Sequence, residues 1–253
     1  MQAYGPRFAY IYNLRWNGFA RAAAPHLLAY YAGTPLGHLR APVLDVCCGS
    51  GLLAGVFLEQ GFPVTGLDLS AHMLAYARSN TAAFTASGQA AYFQADAGQF
   101  ALAPRFGLAL STYDALNHLP DQNALRGCLR ATAAALRPGG TFVFDLNTRR
   151  GLQRWNGTLV DDHEDALVIT RGAYDGSGDR AILNVTGFVP TAAGAYERFD
   201  ETVYNTVFDI QAVLWWAEAE GFATAHAARL DNLGQPLAEP EAESRVFIVA
   251  QRG

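Results

Sequence analysis

Apolar positions along this chain fall into short continuous runs separated by longer stretches with helical spacing. The runs cover residues 43–46, 63–67, 91–94, 106–110 and 141–147. Each is bounded by turn formers or an acid, and the first, second and fourth are followed by stretches that read as helices. Continuous runs of this kind predict strands buried on both faces, and their alternation with helices predicts a largely parallel sheet. Near the N-terminus Phe8, Tyr12, Trp16 and Phe19 fall on one face of a helix within an aromatic-rich segment, residues 4–31.

After Thr148 the rhythm changes. Segments 166–174, 181–189 and 196–207 are β-rich and are separated by Asp175-Gly176-Ser177-Gly178 and Thr191-Ala192-Ala193-Gly194. Three hairpin-linked strands, forming an antiparallel sheet inserted into the α/β body, are expected. The α/β rhythm then resumes with a helix over 209–220, a strand over 223–230 and a last strand over 244–251. The expected organisation is a helical cap over 1–40, an α/β core over 41–150 and 208–253, and an inserted β subdomain over 151–207.

Composition narrows the function. With 253 residues, 51% hydrophobic and 16% charged, the chain suits a soluble globular protein of one large domain or of a domain with a sizeable insertion. No apolar run approaches the roughly 18 residues of a membrane span, and no signal-peptide pattern opens the chain, so a cytoplasmic protein without a membrane partner is expected. The net charge of −5, with no basic block, argues against a nucleic-acid partner. All 18 basic residues are arginine. Schiff-base chemistry and a phosphate-loop lysine are thereby excluded. Cys47, Cys48 and Cys128 have neither zinc-site nor disulfide spacing.

The first strand leads into Asp45-Val46-Cys47-Cys48-Gly49-Ser50-Gly51. A dinucleotide fingerprint would need a glycine where Leu52 stands, so the dehydrogenase reading fails. Asp68 follows the glycine turn by the roughly 20 residues that present a carboxylate to a ribose in a βαβ unit, although a helix-capping role is also open to it. Asp96 ends the third strand. Ser111 and the polar segment through Leu119 follow the fourth, at the switch point where such sheets bind ligands. His118 is the histidine this logic places near the chemistry, as a base or as a packing group.

Acid then small residues at alternating positions (Asp45, Cys47, Gly49, Gly51) resemble the first motif of class I S-adenosylmethionine-dependent methyltransferases, with Cys47 where glycine is usual. The resemblance extends to Phe8-Ala9-Tyr10-Ile11-Tyr12-Asn13, similar to a segment folded over the cofactor, with Asn13 in place of aspartate. It also extends to Leu136-Arg137-Pro138-Gly139-Gly140, a turn of the same family. It implies an α/β fold: a doubly wound, seven-stranded Rossmann-like methyltransferase sheet carrying a small antiparallel β-sheet, as in bacterial small-molecule enzymes that include amino-sugar N,N-dimethyltransferases.

That resemblance implies roles for individual residues. Cys47, Gly49 and Gly51 would hug the methionine part of the cofactor, with Asp45 at its amino group, Asp68 at the ribose, and Leu69, Met73, Asp96 and Ala97 around the adenine. Ser111 would face the cofactor and Tyr12 would cap the sulfonium, with Tyr12 and His118 as candidate catalytic groups. S-adenosylmethionine would give S-adenosylhomocysteine while a methyl group passes to nitrogen or oxygen of a small-molecule acceptor. The alternative is a non-catalytic cofactor-binding module.

No metal is expected. Asp161-Asp162-His163-Glu164-Asp165 reads as a solvated loop. Asp114, Asp145 and Asn147 resemble the magnesium site of catechol-type methyltransferases, but Leu146 separates an acid and an asparagine that are adjacent there. Tyr174, Tyr196, Arg198, Tyr204 and the pair Trp215-Trp216 could wall a substrate pocket, pack a core or form a dimer surface. A monomer or homodimer is expected.

Overall fold

The computed structural model describes residues 4–191 and 193–253. Of the expectations above, residues 1–3 of the cap and Ala192 of a hairpin turn lie outside the described residues. The aromatic segment makes two helices, α1 (Pro6–Arg15) and α2 (Gly18–Ala32), broken at Trp16 and Asn17. Pro6 opens α1 at a position where its missing N–H leaves no bond unmade. A single turn, α3 (Pro35–His38), follows and is capped by the Thr34 hydroxyl, which accepts the Gly37 N–H at 3.0 Å.

The apolar runs form strands as expected, with helices between them. In chain order they are β1 (Val43–Val46), α4 (Leu52–Glu59), β2 (Val64–Asp68), α5 (Ala71–Asn80), α6 (Ala82–Ala86), β3 (Ala90–Gln94), β4 (Phe106–Ser111), α7 (Gln122–Ala135) and β5 (Leu136–Asn147). β5 starts earlier than the sequence suggests. Phe106 pairs with Leu136 and Leu108 with Thr141, so the Pro138-Gly139-Gly140 turn bulges out within the strand.

The insertion corrects one expectation. After the short helix α8 (Arg149–Gln153), four strands and not three make an antiparallel sheet: β6 (Gly157–His163), β7 (Ala166–Ala173), β8 (Arg180–Pro190) and β9 (Tyr196–Thr206). Asp161, Asp162 and His163 lie in β6, and Glu164 and Asp165 make its turn into β7. β6 is an edge strand that is mostly exposed, so it lacks the apolar alternation of a half-buried strand, and its acids discourage edge pairing. Asp161 and Asp165 both pair with Arg15 of α1.

The chain closes with α9 (Ile210–Ala219), β10 (Thr224–Ala228) and β11 (Arg245–Gln251). The main sheet has seven strands in the order β10-β11-β5-β4-β1-β2-β3, parallel from β5 to β3, with β11 antiparallel to both its neighbours. Progress through the sheet reverses between β1 and β4, which opens a crevice at the C-terminal ends of those strands. One apolar layer joins Leu44, Phe142 and Phe144 to α7 and α9, and the other joins Val43, Leu108 and Val143 to α2 and α4.

Two features hang the small sheet over that crevice. Phe8, Ala9 and Ile11 of α1 pack with Val168, Val185, Val189 and Val203 of the small sheet and with Met73 of α5. Full burial of a Phe, Ile, Val or Met side chain contributes about 1.5–3 kcal/mol, and Ala9 adds less. The second is a buried amide chain. Asn117 donates to the carbonyls of Thr206 (2.9 Å) and Asn147 (3.3 Å) and accepts the Asn147 N–H (2.9 Å), while the Asn147 amide donates to Asn205 (3.1 Å). β5, β9 and the segment after β4 are thus held together at their ends.

Candidate active site

The turn after β1 is built from left-handed backbone. Cys47, Gly49 and Gly51 have φ of 59°, 54° and 74°, which glycine adopts freely and a residue with a Cβ adopts at roughly 1–2 kcal/mol. The Cys48 N–H donates to the Leu67 carbonyl at 2.9 Å, and the Gly49 N–H donates to Oδ2 of Asp68 at 2.9 Å. Oδ1 of Asp68 accepts the Ser70 N–H at 2.8 Å. Capping of α5 therefore falls to Ser70, whose hydroxyl accepts the Met73 N–H at 3.3 Å. Asp68 fixes one loop against the other. Burial raises its pKa, against the pull of the Ser70 and Gly49 amides.

A cavity of about 290 Å³ opens at this corner. Cys47, Gly49, Asp68, Leu69 and Met73 line one side, Ala97 another, and Tyr12 and His118 close over it. Tyr12 also borders a narrower cleft of about 30 Å³ that reaches Asp45, Ser50 and Thr112. Asp45 is 3% exposed, and its Oδ2 has no hydrogen-bond partner. Burial, and then the charge of Asp68, push its pKa up to about 8. A buried carboxylate oxygen without a donor calls for a cationic or hydrogen-donating ligand group.

A wider cavity of about 550 Å³ lies beside the first, between α1, the inner face of the small sheet and the segment 154–159. The two share Tyr4, Tyr12, Tyr113, His118 and Val203 as a common wall. At its inner end the Arg245 guanidinium donates to Asp114 at 2.7 Å and pairs with Asp145. It also lies 4.8 Å from the Phe19 ring centroid and 5.7 Å from that of Tyr113. Although burial opposes its charge, Asp145 and then Asp114 hold Arg245 above its ordinary pKa. A guanidinium thus stands between the two acids weighed above as metal ligands. Among the described residues no group of three potential ligands could hold a metal ion.

Residues 43–140, from β1 through the bulge in β5, match the family model Methyltransf_25, a methyltransferase domain. This stretch is a methyltransferase domain. Over most of its length the chain is also 28% identical to YqeM of Bacillus subtilis (strain 168), provisionally named a methyltransferase, across 214 residues and 83% of each chain. A solved S-adenosylmethionine-dependent methyltransferase from Clostridium acetobutylicum ATCC 824 superposes with a TM-score of 0.77 at 18% identity, covering 98% of both chains. The sugar N-methyltransferase KedS8 from Streptoalloteichus sp. ATCC 53650 superposes with a TM-score of 0.75 at 24% identity, covering 100% of this chain and 96% of its own. The class I methyltransferase fold therefore extends beyond the domain to the cap and the small sheet. No helix of the described residues is long and apolar enough to cross a membrane.

In this methyltransferase domain and its cap, eight of the residues singled out from the sequence meet at the smaller cavity: Tyr12, Cys47, Gly49, Asp68, Leu69, Met73, Ala97 and His118. Four do not line it. Asp45 reaches the narrow cleft. Gly51 shapes the turn, and a Cβ there would come within 2.9 Å of Ala77. Oδ1 of Asp96 accepts the Gly98 N–H at 2.8 Å. Ser111 is buried at the end of β4, its hydroxyl without a partner. Of the aromatic residues considered as walls, Tyr204 lines the smaller cavity, whereas Trp215 is 73% exposed. Tyr4, Tyr113 and Arg245 also border the cavities. Tyr4 and Tyr113 were visible only as members of apolar or polar runs, and nothing near Arg245 in sequence marks it.

Proposed function

We propose that this protein transfers a methyl group from S-adenosylmethionine to nitrogen or oxygen of a small-molecule acceptor. The observation that carries the reading is the pairing of Asp45 and Asp68 on either side of the left-handed turn at Cys47 and Gly49. One carboxylate has a buried oxygen without a donor, and the other lines the adjoining cavity. The first fits the amino group of the cofactor's methionine part. The second fits ribose hydroxyls, for which a carboxylate with spare lone pairs is the best acceptor. Leu69, Met73 and Ala97 offer an apolar slot for the adenine.

When bound, this cofactor supplies an electrophilic methyl group on a sulfonium that leaves as a neutral thioether. The chain's own work is to orient and to exclude water. Tyr12 lies over the turn, where a Cβ on Gly49 would sit 3.5 Å from its ring. Burial raises the Tyr12 pKa, so it remains a neutral phenol. The wider cavity, which meets the smaller one at Tyr4, Tyr12, Tyr113 and His118, gives an acceptor a route to the methyl group, and this favours transfer over binding alone. Calorimetry with S-adenosylmethionine tests the reading, with one site per chain expected. Unchanged affinity in both Asp45→Asn and Asp68→Ala would overturn it.

A further inference from the structure

We infer that the acceptor is a phenol, seated in the wider cavity with its hydroxyl proton taken up by Nε2 of His118. The inference rests on the cofactor reading above and deepens it.

Three observations converge. The first is the wall: Phe8, Tyr12, Trp16, Tyr113 and Trp155 line the wider cavity, offering faces and edges to a flat ring. The second is charge. The cavity's one acid among the described residues is Asp114, and Arg245 already binds it. Arg154, on the same lining, makes no ion pair among the described residues. An ammonium group would find no unengaged carboxylate on that lining, and with Arg245 held by Asp114 and Asp145 the guanidinium left to an anionic acceptor there is that of Arg154.

The third is the set of His118. Its Nδ1 lies 2.9 Å from the Tyr204 carbonyl oxygen, with the Asn205 amide more distant at 3.4 Å. A carbonyl only accepts, so Nδ1 carries the hydrogen and Nε2 presents its lone pair. Nε2 lies 3.2 Å from the Tyr4 hydroxyl, which donates to it. Burial holds the Tyr4 phenol well above its ordinary pKa, so Tyr4 is a donor and not a base. His118 and Tyr4 both line both cavities.

A phenol arriving from the wider side replaces Tyr4 as the donor. Its O–H bond breaks, an N–H bond forms at Nε2, and the electron pair stays on the oxygen that becomes the nucleophile. The titratable and charged groups that line the smaller cavity with His118 are Tyr4, Tyr12, Cys47, Asp68, Tyr113, Arg180, Glu201 and Tyr204. A neutral amine needs only positioning and would leave this oriented lone pair unused.

The test uses the whole chain loaded with S-adenosylhomocysteine and 4-nitrophenol as the probe, at a pH below the dye's own pKa. Bound dye is expected to show the phenolate absorption band. In His118→Gln the dye is expected to bind in its neutral form, with the phenolate fraction down about tenfold or more. His118→Asn, which can keep the contact to Tyr204, gives the same reading should the first variant fail to fold. A dye that does not bind, that binds only as the phenol, or whose phenolate band survives in the variants overturns the inference alone. Failure of the wild-type chain to bind S-adenosylhomocysteine in calorimetry overturns the cofactor reading and this one with it.

Discussion

Arg245 and Asp114 stand 131 residues apart in the chain and 2.7 Å apart in space. The contact joins the last strand to the turn after β4, where Tyr113 and Asp114 both have left-handed backbone, with φ of 67° and 50°. Asp145 completes the arrangement by accepting the Tyr113 N–H at 2.6 Å and the Asp114 N–H at 2.9 Å. A turn that strain would relax is held by two amides, two carboxylates and one guanidinium. Its product is the placement of Tyr113, stacked on Phe19 at 4.8 Å between the two cavities.

Arg245→Met is expected to destabilise the fold by about 3–5 kcal/mol, because it leaves buried acids without their counter-charge. Urea unfolding measures this. A change below about 1 kcal/mol would mean that the pair is as dispensable as an exposed one.

Asp45 gives a pH dependence. Its ordinary value is 3.8 and its folded value about 8, so between these the native state binds a proton that the unfolded chain has released. Stability from this group therefore falls as pH rises through that window, by up to about 1.4 kcal/mol per pH unit. Asp45→Asn should flatten the decline in unfolding free energy. Parallel curves for the two proteins would show that Asp45 does not titrate as its surroundings require.

Asp68→Ala removes the acceptor of the Gly49 and Ser70 amides together with the carboxylate proposed for the ribose. Charged hydrogen bonds are each worth about 1.5–3 kcal/mol, so cofactor affinity should drop by about 100-fold. Titration calorimetry reads the loss directly.

Cys47 can be tested by shape. Cys47→Gly relieves the positive φ but loosens the unfolded chain, so a net change within about 1 kcal/mol is expected. Cys47→Val places a β-branched side chain in the same conformation and should lower thermal stability by several degrees, given about 1–2 kcal/mol of added strain. Equal melting temperatures for the two variants would contradict the backbone account.

The strands of the main sheet were legible because burial on both faces demands continuous apolar runs, as at Val43, Leu44 and Val46. Asp45 and Asp68 were legible because each ends or interrupts such a run beside small residues. β6 escaped because an exposed edge strand has no such requirement, and its acids look like a loop. The early start of β5 was hidden by Pro138, Gly139 and Gly140, which read as a stop yet form a bulge. Contacts across long separations left no local trace. Tyr4 meets His118 across 114 residues, and Arg245 lies in an otherwise apolar last strand, where a lone charge suggests only an edge.

Tyr12 borders all three cavities, and α1 is wedged between the small sheet and α5. On the proposed reading the two ligands would share that wall. An acceptor seated first would press that wall toward Gly49 and narrow the way in for the larger molecule, while a seated cofactor would stiffen it into a finished partition. Arrival is thus expected in sequence, cofactor before acceptor, with the methylated product departing before the spent thioether.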